Sequence, residues 1–168
     1  MSTDTPFQTN QPIDPDTLYI RVFRGAEEVA NGCGDVTFTL EGDALQVDCT
    51  CNIICGDVAG NVNAASGPIE CGDVKGNVNT ANGPVSCNDV RGNVNTANGP
   101  VECNNVGGSI NTDSGSVECN DVKGSITTDS GPVECCNVGG SVTTGSGPVC
   151  CGDIRGDAIS KNGTINEQ

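Results

Sequence analysis

Seven cysteines, Cys55, Cys71, Cys87, Cys103, Cys119, Cys135 and Cys151, follow one another at an unbroken interval of sixteen residues. Thiols set at a fixed period are candidates for soft-metal, cluster or redox chemistry, because the thiolate is both the nucleophile and the metal ligand. Five further cysteines lie toward the two ends: Cys33, Cys49 and Cys51 before the series, and Cys136 and Cys150 within its last turns. Histidine is absent, which removes the commonest general base and the commonest nitrogen ligand. If successive repeats stack, the seven thiols form a straight column with sulfurs about 4.8 Å apart, the spacing of neighbouring strands. Two Zn–S bonds at a tetrahedral angle span less than that, whereas a near-linear two-coordinate ion such as Cu(I) fits it.

The end cysteines extend the candidate metal set. Cys135, Cys136, Cys150 and Cys151 form two adjacent pairs one repeat apart, and strand alternation puts Cys135 and Cys151 inside with Cys136 and Cys150 outside. In LQVDCTCNIIC the same alternation sets Cys49, Cys51 and Cys55 on one face, while Cys33 has no assigned place. Either thiol group could hold tetrahedral zinc or an iron–sulfur cluster. A surface disulfide between Cys136 and Cys150 is the rival at the C-terminal end. A disulfide along the column is expected to be poorly placed. Against all of these stands the plain role of cysteine as a small buried hydrophobe in a narrow core.

What must position these thiols is a repeat. CGDVKGNVNTANGPVS starts at Cys71 and CNDVRGNVNTANGPVE at Cys87, and seven such units run from residue 55 to 166. Self-similarity at a short fixed period marks a solenoid, in which each unit is one coil packed only on its neighbours. Numbering from the cysteine, positions 4, 8 and 15 are almost always Val or Ile, as in Val74, Val78 and Val85, and these columns form the expected core. The last unit weakens the pattern, with Ile154, Ala158 and Ile165 at those places and Lys161 added, which suits a polar C-terminal cap. Glycine at positions 6 and 13 suggests corners with positive φ or close backbone approach, and proline usually follows the second. Parity puts Val85 and Cys87 inside with Ser86 outside, and Val78 with Thr80 on one face with Asn77 and Asn79 on the other. The expected fold is all-β: a single-stranded parallel β-helix of seven coils, about 34 Å long at the strand spacing. Residues 17 to 54 alternate without the period and read as an N-terminal β cap over the edge of the first coil. Residues 1 to 16 read as a polar disordered tail, and 167 to 168 as a short C-terminal one.

The motif GDVxGNVxxxxGPVxC resembles the cysteine-bearing β-solenoid repeats of proteins from anaerobic Gram-positive bacteria. More loosely, it is similar to bactofilins and to adhesin-like proteins with stacked GDV-type repeats. Over residues 55 to 166 the resemblance implies a parallel β-helix, usually right-handed, and for bactofilins a polymerising scaffold without nucleotide. The cysteine in every coil departs from the bactofilin repeat.

Charge and composition narrow the function further. With 22 acidic against 7 basic residues the net charge is -15, which disfavours nucleic acid and anionic membrane surfaces as partners. No apolar run has the length of a signal peptide or a membrane span, so the expected compartment is the cytoplasm, where thiols stay reduced. Stacked carboxylates at position 3 (Asp57, Asp73, Asp89, Asp121, Asp153) and position 16 (Glu70, Glu102, Glu118, Glu134) could attract a divalent cation, but Asp and Asn suit a corner by bonding their own backbone. The outward NVN, SIN, SIT and SVT stretches form a hydroxyl and amide array that could order water, as on ice-binding solenoids, or simply make asparagine ladders. No nucleophile–base pair and no phosphate loop is visible, so an enzyme is not expected. Two expectations remain: a non-enzymatic solenoid binding Cu(I), zinc or iron–sulfur units along its cysteines, or a structural rod, possible as an end-to-end self-assembling scaffold or homo-oligomer, with cysteines only as packing.

Overall fold

A computed structural model describes the backbone of Tyr19–Arg24, Glu27–Cys33, Val36–Glu41 and Ala44–Cys49, and residues 52–167 with their side chains. The expected 1–16 tail, Cys51 and residue 168 lie outside the described residues, as do the side chains of Cys33 and Cys49. The described chain is all strand and turn, and it winds into a β-solenoid whose coils are stacked sixteen residues apart.

Each coil contributes one short strand to each of two sheets. Positions 15 to 1 form one sheet, as in Ile69–Cys71 and Val85–Cys87, and positions 8 to 10 form the other, as in Val78–Thr80 and Val94–Thr96. Among the described residues the first sheet has ten strands and the second nine. All pairing within the stack is parallel and in register, so Val78, Val94 and Ile110 face one another, as do Cys87, Cys103 and Cys119. Position 4 adds a third, narrower ladder through bridges such as Val74 to Val90. The three β-branched columns are the core, with Val74, Val78, Val94, Val101 and Val106 fully buried. Burying each such side chain stabilises by about 1.5 to 3 kcal/mol, and only the stack provides the burial.

The columns fade at the last coil, where Ile154 and Ala158 are half-buried and Ile165 is exposed. The expectation that Ile165 belongs to the core is therefore corrected: no described coil lies beyond it to cover it. Glu167 is likewise no tail residue, since it pairs with Cys151 at the end of the strand Ile165–Glu167.

At the other end, β1 (Tyr19–Arg24) and β2 (Glu27–Cys33) form an antiparallel hairpin that continues the first sheet through the pairing of Ala30 with Cys55. A second hairpin, β3 (Val36–Glu41) with β4 (Ala44–Cys49), continues the second sheet. Two hairpins thus precede the stack, one for each sheet. Parallel pairing starts before residue 55, because Val47 already opposes Val62 and Ile53 opposes Ile69.

Glycine at position 13 is explained by contact rather than by a left-handed backbone. A Cβ on Gly99 would fall on the carbonyl oxygen of Gly83 one coil below, and the same clash recurs up the column.

Polar side chains face the next coil as much as solvent. The expectation that aspartate and asparagine bond their own backbone is corrected by the contacts observed. Asp57 Oδ1 accepts from the backbone N–H of Asp73 at 2.8 Å, and Asn61 Oδ1 from that of Asn77 at 2.7 Å. In-register stacking brings each acceptor beside the same N–H of the next coil. The position 7 acceptors continue through Asn77, Asn93, Ser109, Ser125 and Ser141, so half of the supposed water-ordering array is committed to the stack. Position 9 makes an amide ladder in which Asn79, Asn95 and Asn111 each donate Nδ2–H to the Oδ1 below at 2.7, 2.8 and 2.9 Å. Replacing Asn95 by leucine removes one donated and one accepted bond. A loss of about 1 kcal/mol in urea unfolding is expected, modest because the ladder is only part-buried.

Candidate functional site: a row of thiols

The cysteine at position 1 lies two residues after the strand's valine and shares its parity, so its side chain turns into the coil. Cys87, Cys103, Cys119 and Cys151 are buried, and Cys55, Cys71 and Cys135 are half-buried against the same core. This is the expected column, complete over seven coils. None of the nine cysteines with described side chains is in a disulfide, and this includes Cys136 and Cys150.

The spacing of the sulfurs differs from the expectation. Cys55 Sγ and Cys71 Sγ are 3.1 Å apart, well inside the strand spacing, because the side chains lean along the column until the sulfurs meet. The contact is an S–H···S hydrogen bond in which either sulfur can donate. From Cys71 to Cys151 each cysteine stands in register with the next, so the row continues coil by coil.

A thiol has one proton, so it donates to one neighbour and accepts from the other. A neutral row therefore runs as a chain of donors in one direction. Removing a proton from an interior sulfur lets it accept from both sides. The titration follows this alternation. Cys71, Cys103 and Cys135 are held well above the ordinary thiol range. Their protons are engaged chiefly by Cys55 in the first case and by Cys119 in the other two, with burial adding to the effect. Cys87 and Cys119 are drawn down because the sulfurs on both sides donate to them, Cys103 most strongly, against the cost of burial. Cys151 is lowered chiefly by Cys135.

An open groove of about 770 Å³ follows the cysteine strands from Ser86 to Gly152, bordered by Glu102, Glu118 and Glu134 and by Asn88, Asn104 and Asn120. The glutamates are in register and exposed, so the groove carries a line of negative charge. Near its end stand Cys135, Cys136, Cys150 and Cys151. Cys135 opposes Cys151, Glu134 opposes Cys150, and Cys136 is exposed, as parity requires.

At the other end, the expected single strand through Cys49, Cys51 and Cys55 is not what forms. LQVDCTCNIIC is two strands rather than one, because the chain passes between the sheets after Cys49. Cys49 opposes Ala64 in the second sheet, whereas Cys55 closes its strand in the first. Cys49 therefore does not share a strand face with Cys55, and Cys51 lies outside the described residues. A break in the strand resets parity, and no residue in TCN announces it.

Among the described residues no three Cys, Asp or Glu side chains converge on a point where one ion could sit. The row offers sulfur in one dimension only, with two neighbours for each sulfur. Sequence reasoning missed the buried threonines Thr80, Thr96 and Thr112 as structural groups, although their shared face with the position 8 valines was legible. Their Oγ1 atoms accept from the N–H of Gly83, Gly99 and Gly115 at 3.3, 3.2 and 3.0 Å, closing the tight corner. Comparison with protein-family models, with curated proteins and with solved structures finds no match to this chain.

Proposed function

We propose that this chain is a non-enzymatic structural rod, a scaffold whose cysteines pack and cross-connect its core. The observation that carries this reading is the use of polar groups. Side chains at positions 3, 7 and 9 bond the next coil, and no donor set converges among the described residues. Such a coil is built to be stacked on. The resemblance to scaffold-forming GDV-type repeats agrees with it, and a second copy of the chain is the partner this reading implies.

The test is to replace Cys87, Cys103 and Cys119 together by alanine, and separately by valine. The rod reading expects at least one set to keep the β spectrum, the elongated shape in small-angle scattering, and most of the unfolding midpoint. Collapse of both sets, with the native protein carrying metal, would sink it. A companion result concerns access. Cys136 should react first with a thiol reagent, while Cys87, Cys103, Cys119 and Cys151 stay protected until urea unfolds the stack. Equal rates for all would mean the row is not interior.

A second reading is favoured by the sulfur contacts and the acidic groove. Thiophilic ions of low coordination number, Cu(I) above all, would bridge Cys71 and Cys87 or Cys103 and Cys119. Each coil supplies one sulfur, and the glutamates raise the local cation concentration. Zinc and iron–sulfur units need three or four protein ligands, which the row does not bring together. Elemental analysis after anaerobic purification tests this. Copper at one ion per two row cysteines, lost in the Cys87, Cys103 and Cys119 replacement with the fold intact, is the expected result. A metal-free protein that takes up no Cu(I) on reconstitution would end this reading.

A further inference from the structure

We propose that the cysteine row is a disulfide relay, along which one disulfide moves from coil to coil by thiol–disulfide exchange. This goes beyond the scaffold reading and does not depend on it. The geometry comes from the stack itself. Neighbouring in-register strands lie about 4.8 Å apart, within the Cα separations that a disulfide spans. The sulfurs lean together, to 3.1 Å between Cys55 and Cys71. Exchange proceeds by attack of one sulfur on a disulfide along the axis of the bond that breaks. In-register stacking sets the next cysteine in line with each pair, and Cys87, Cys103, Cys119 and Cys135 each have such a neighbour on both sides.

The row is entered where it is open. Cys135 is half-buried beside exposed Cys136, at the end of the groove, whereas Cys87, Cys103 and Cys119 are buried. The oxidant is a small neutral or cationic disulfide, since the glutamates along the groove repel an anionic one. Cys135 Sγ attacks one sulfur of that disulfide as its proton passes to the departing small thiolate, which forms a mixed disulfide and releases one small thiol. Cys119 then attacks Cys135 Sγ: the Cys119–Cys135 bond forms and the second small thiolate leaves. The two protons given up by the row end on the two small thiols. Two row thiols have lost two electrons, and one small disulfide has gained them. In the next step Cys103 attacks Cys119 Sγ, and Cys135 leaves and takes up the proton that Cys103 released. That step is redox-neutral and repeats toward Cys87, Cys71 and Cys55. The five intervals from Cys135 to Cys55 carry one disulfide, a two-electron oxidising equivalent, over about 24 Å of rod.

The test uses the full reduced chain, free of oxygen and with a chelator present, in which Cys55→Ala and Cys71→Ala close the far end. One equivalent of bis(2-hydroxyethyl) disulfide is added, samples are quenched by acid and alkylation, and disulfides are mapped by peptide mass. Pairs containing Cys135 should form first, followed by Cys87–Cys103. Adding Cys119→Val interrupts the row and should slow formation of Cys87–Cys103 at least tenfold, with the β spectrum unchanged. If the valine variant loses its fold, Cys119→Ala makes the same interruption in a smaller volume. An unchanged rate across the interruption would show that each pair is oxidised directly, and would overturn the relay. So would disulfides confined to Cys136 and Cys150, or formed between cysteines of coils that are not neighbours.

Discussion

Gly115→Val should destabilise the rod by more than about 3 kcal/mol, the largest effect expected of any single methyl-bearing substitution in the repeats. A Cβ at this position falls on the carbonyl oxygen of Gly99, with Gly99 C at 2.7 Å and Thr112 Oγ1 at 2.8 Å. The obstacle is backbone, which cannot rotate away as a side chain would. The same place is also a hydrogen-bonded corner, since the N–H of Gly115 donates to Thr112 Oγ1 and its carbonyl accepts from Thr128 Oγ1. Moving the corner outward therefore loosens three consecutive coils. Because a solenoid is held by nearest-neighbour interfaces, a break in the middle separates two shorter stacks, each less stable than the whole. The control is Gly56→Ala, where an added Cβ meets nothing within 4 Å and a change under about 0.5 kcal/mol is expected. Urea unfolding of the two variants decides the matter. Similar midpoints would mean that position 13 holds glycine for some reason other than close approach.

Val94→Asp is expected to cost several kcal/mol at neutral pH, enough to unfold the central coils. Val94 has no exposed surface and stands between Val78 and Ile110 in the second sheet. A carboxylate there leaves water for a stripe of β-branched side chains with no cation in it. Removing two methyl groups in Val94→Ala should cost only about 2 kcal/mol, which separates the charge from the lost packing. The two variants also differ in pH dependence. Burial raises the folded-state pKa of the introduced aspartate above its unfolded value of about 3.9. The folded state then binds the proton more tightly, so the variant is least impaired below that value and loses stability as pH rises through the folded pKa. Thermal unfolding at pH 4 and pH 7 should show Val94→Asp closing part of its gap to Val94→Ala at the lower pH. A gap that stays constant would mean that the carboxylate reaches solvent.

Within a coil, nearly everything was legible from residue order. Strand alternation is a local property of the chain, so Val85 and Cys87 had to face one way and Ser86 the other, and the sixteen-residue period carried that choice through every unit. The three apolar columns, the seven-thiol row and the exposed Cys136 followed from the same two facts. Where the period stopped, the inference weakened. The passage of the chain from one sheet to the other between Cys49 and Ile53 depends on how two hairpins settle on the first coil.

Between coils, the tertiary structure decided. The sequence determined that Asp57 and Asp73, or Cys55 and Cys71, would stand one above the other. It did not determine that a carboxylate would reach the backbone N–H of the coil above, or that two sulfurs would close to 3.1 Å. Those outcomes depend on the distance and offset between stacked coils, and on which rotamer each side chain takes in the remaining space. Both are set jointly by all the columns at once: the Gly83 and Gly99 contact brings the backbones together, the buried valines hold them in register, and the thiols lean into what is left. A repeat specifies its own coil by local alternation, but the chemistry of the row arises from packing one coil against another.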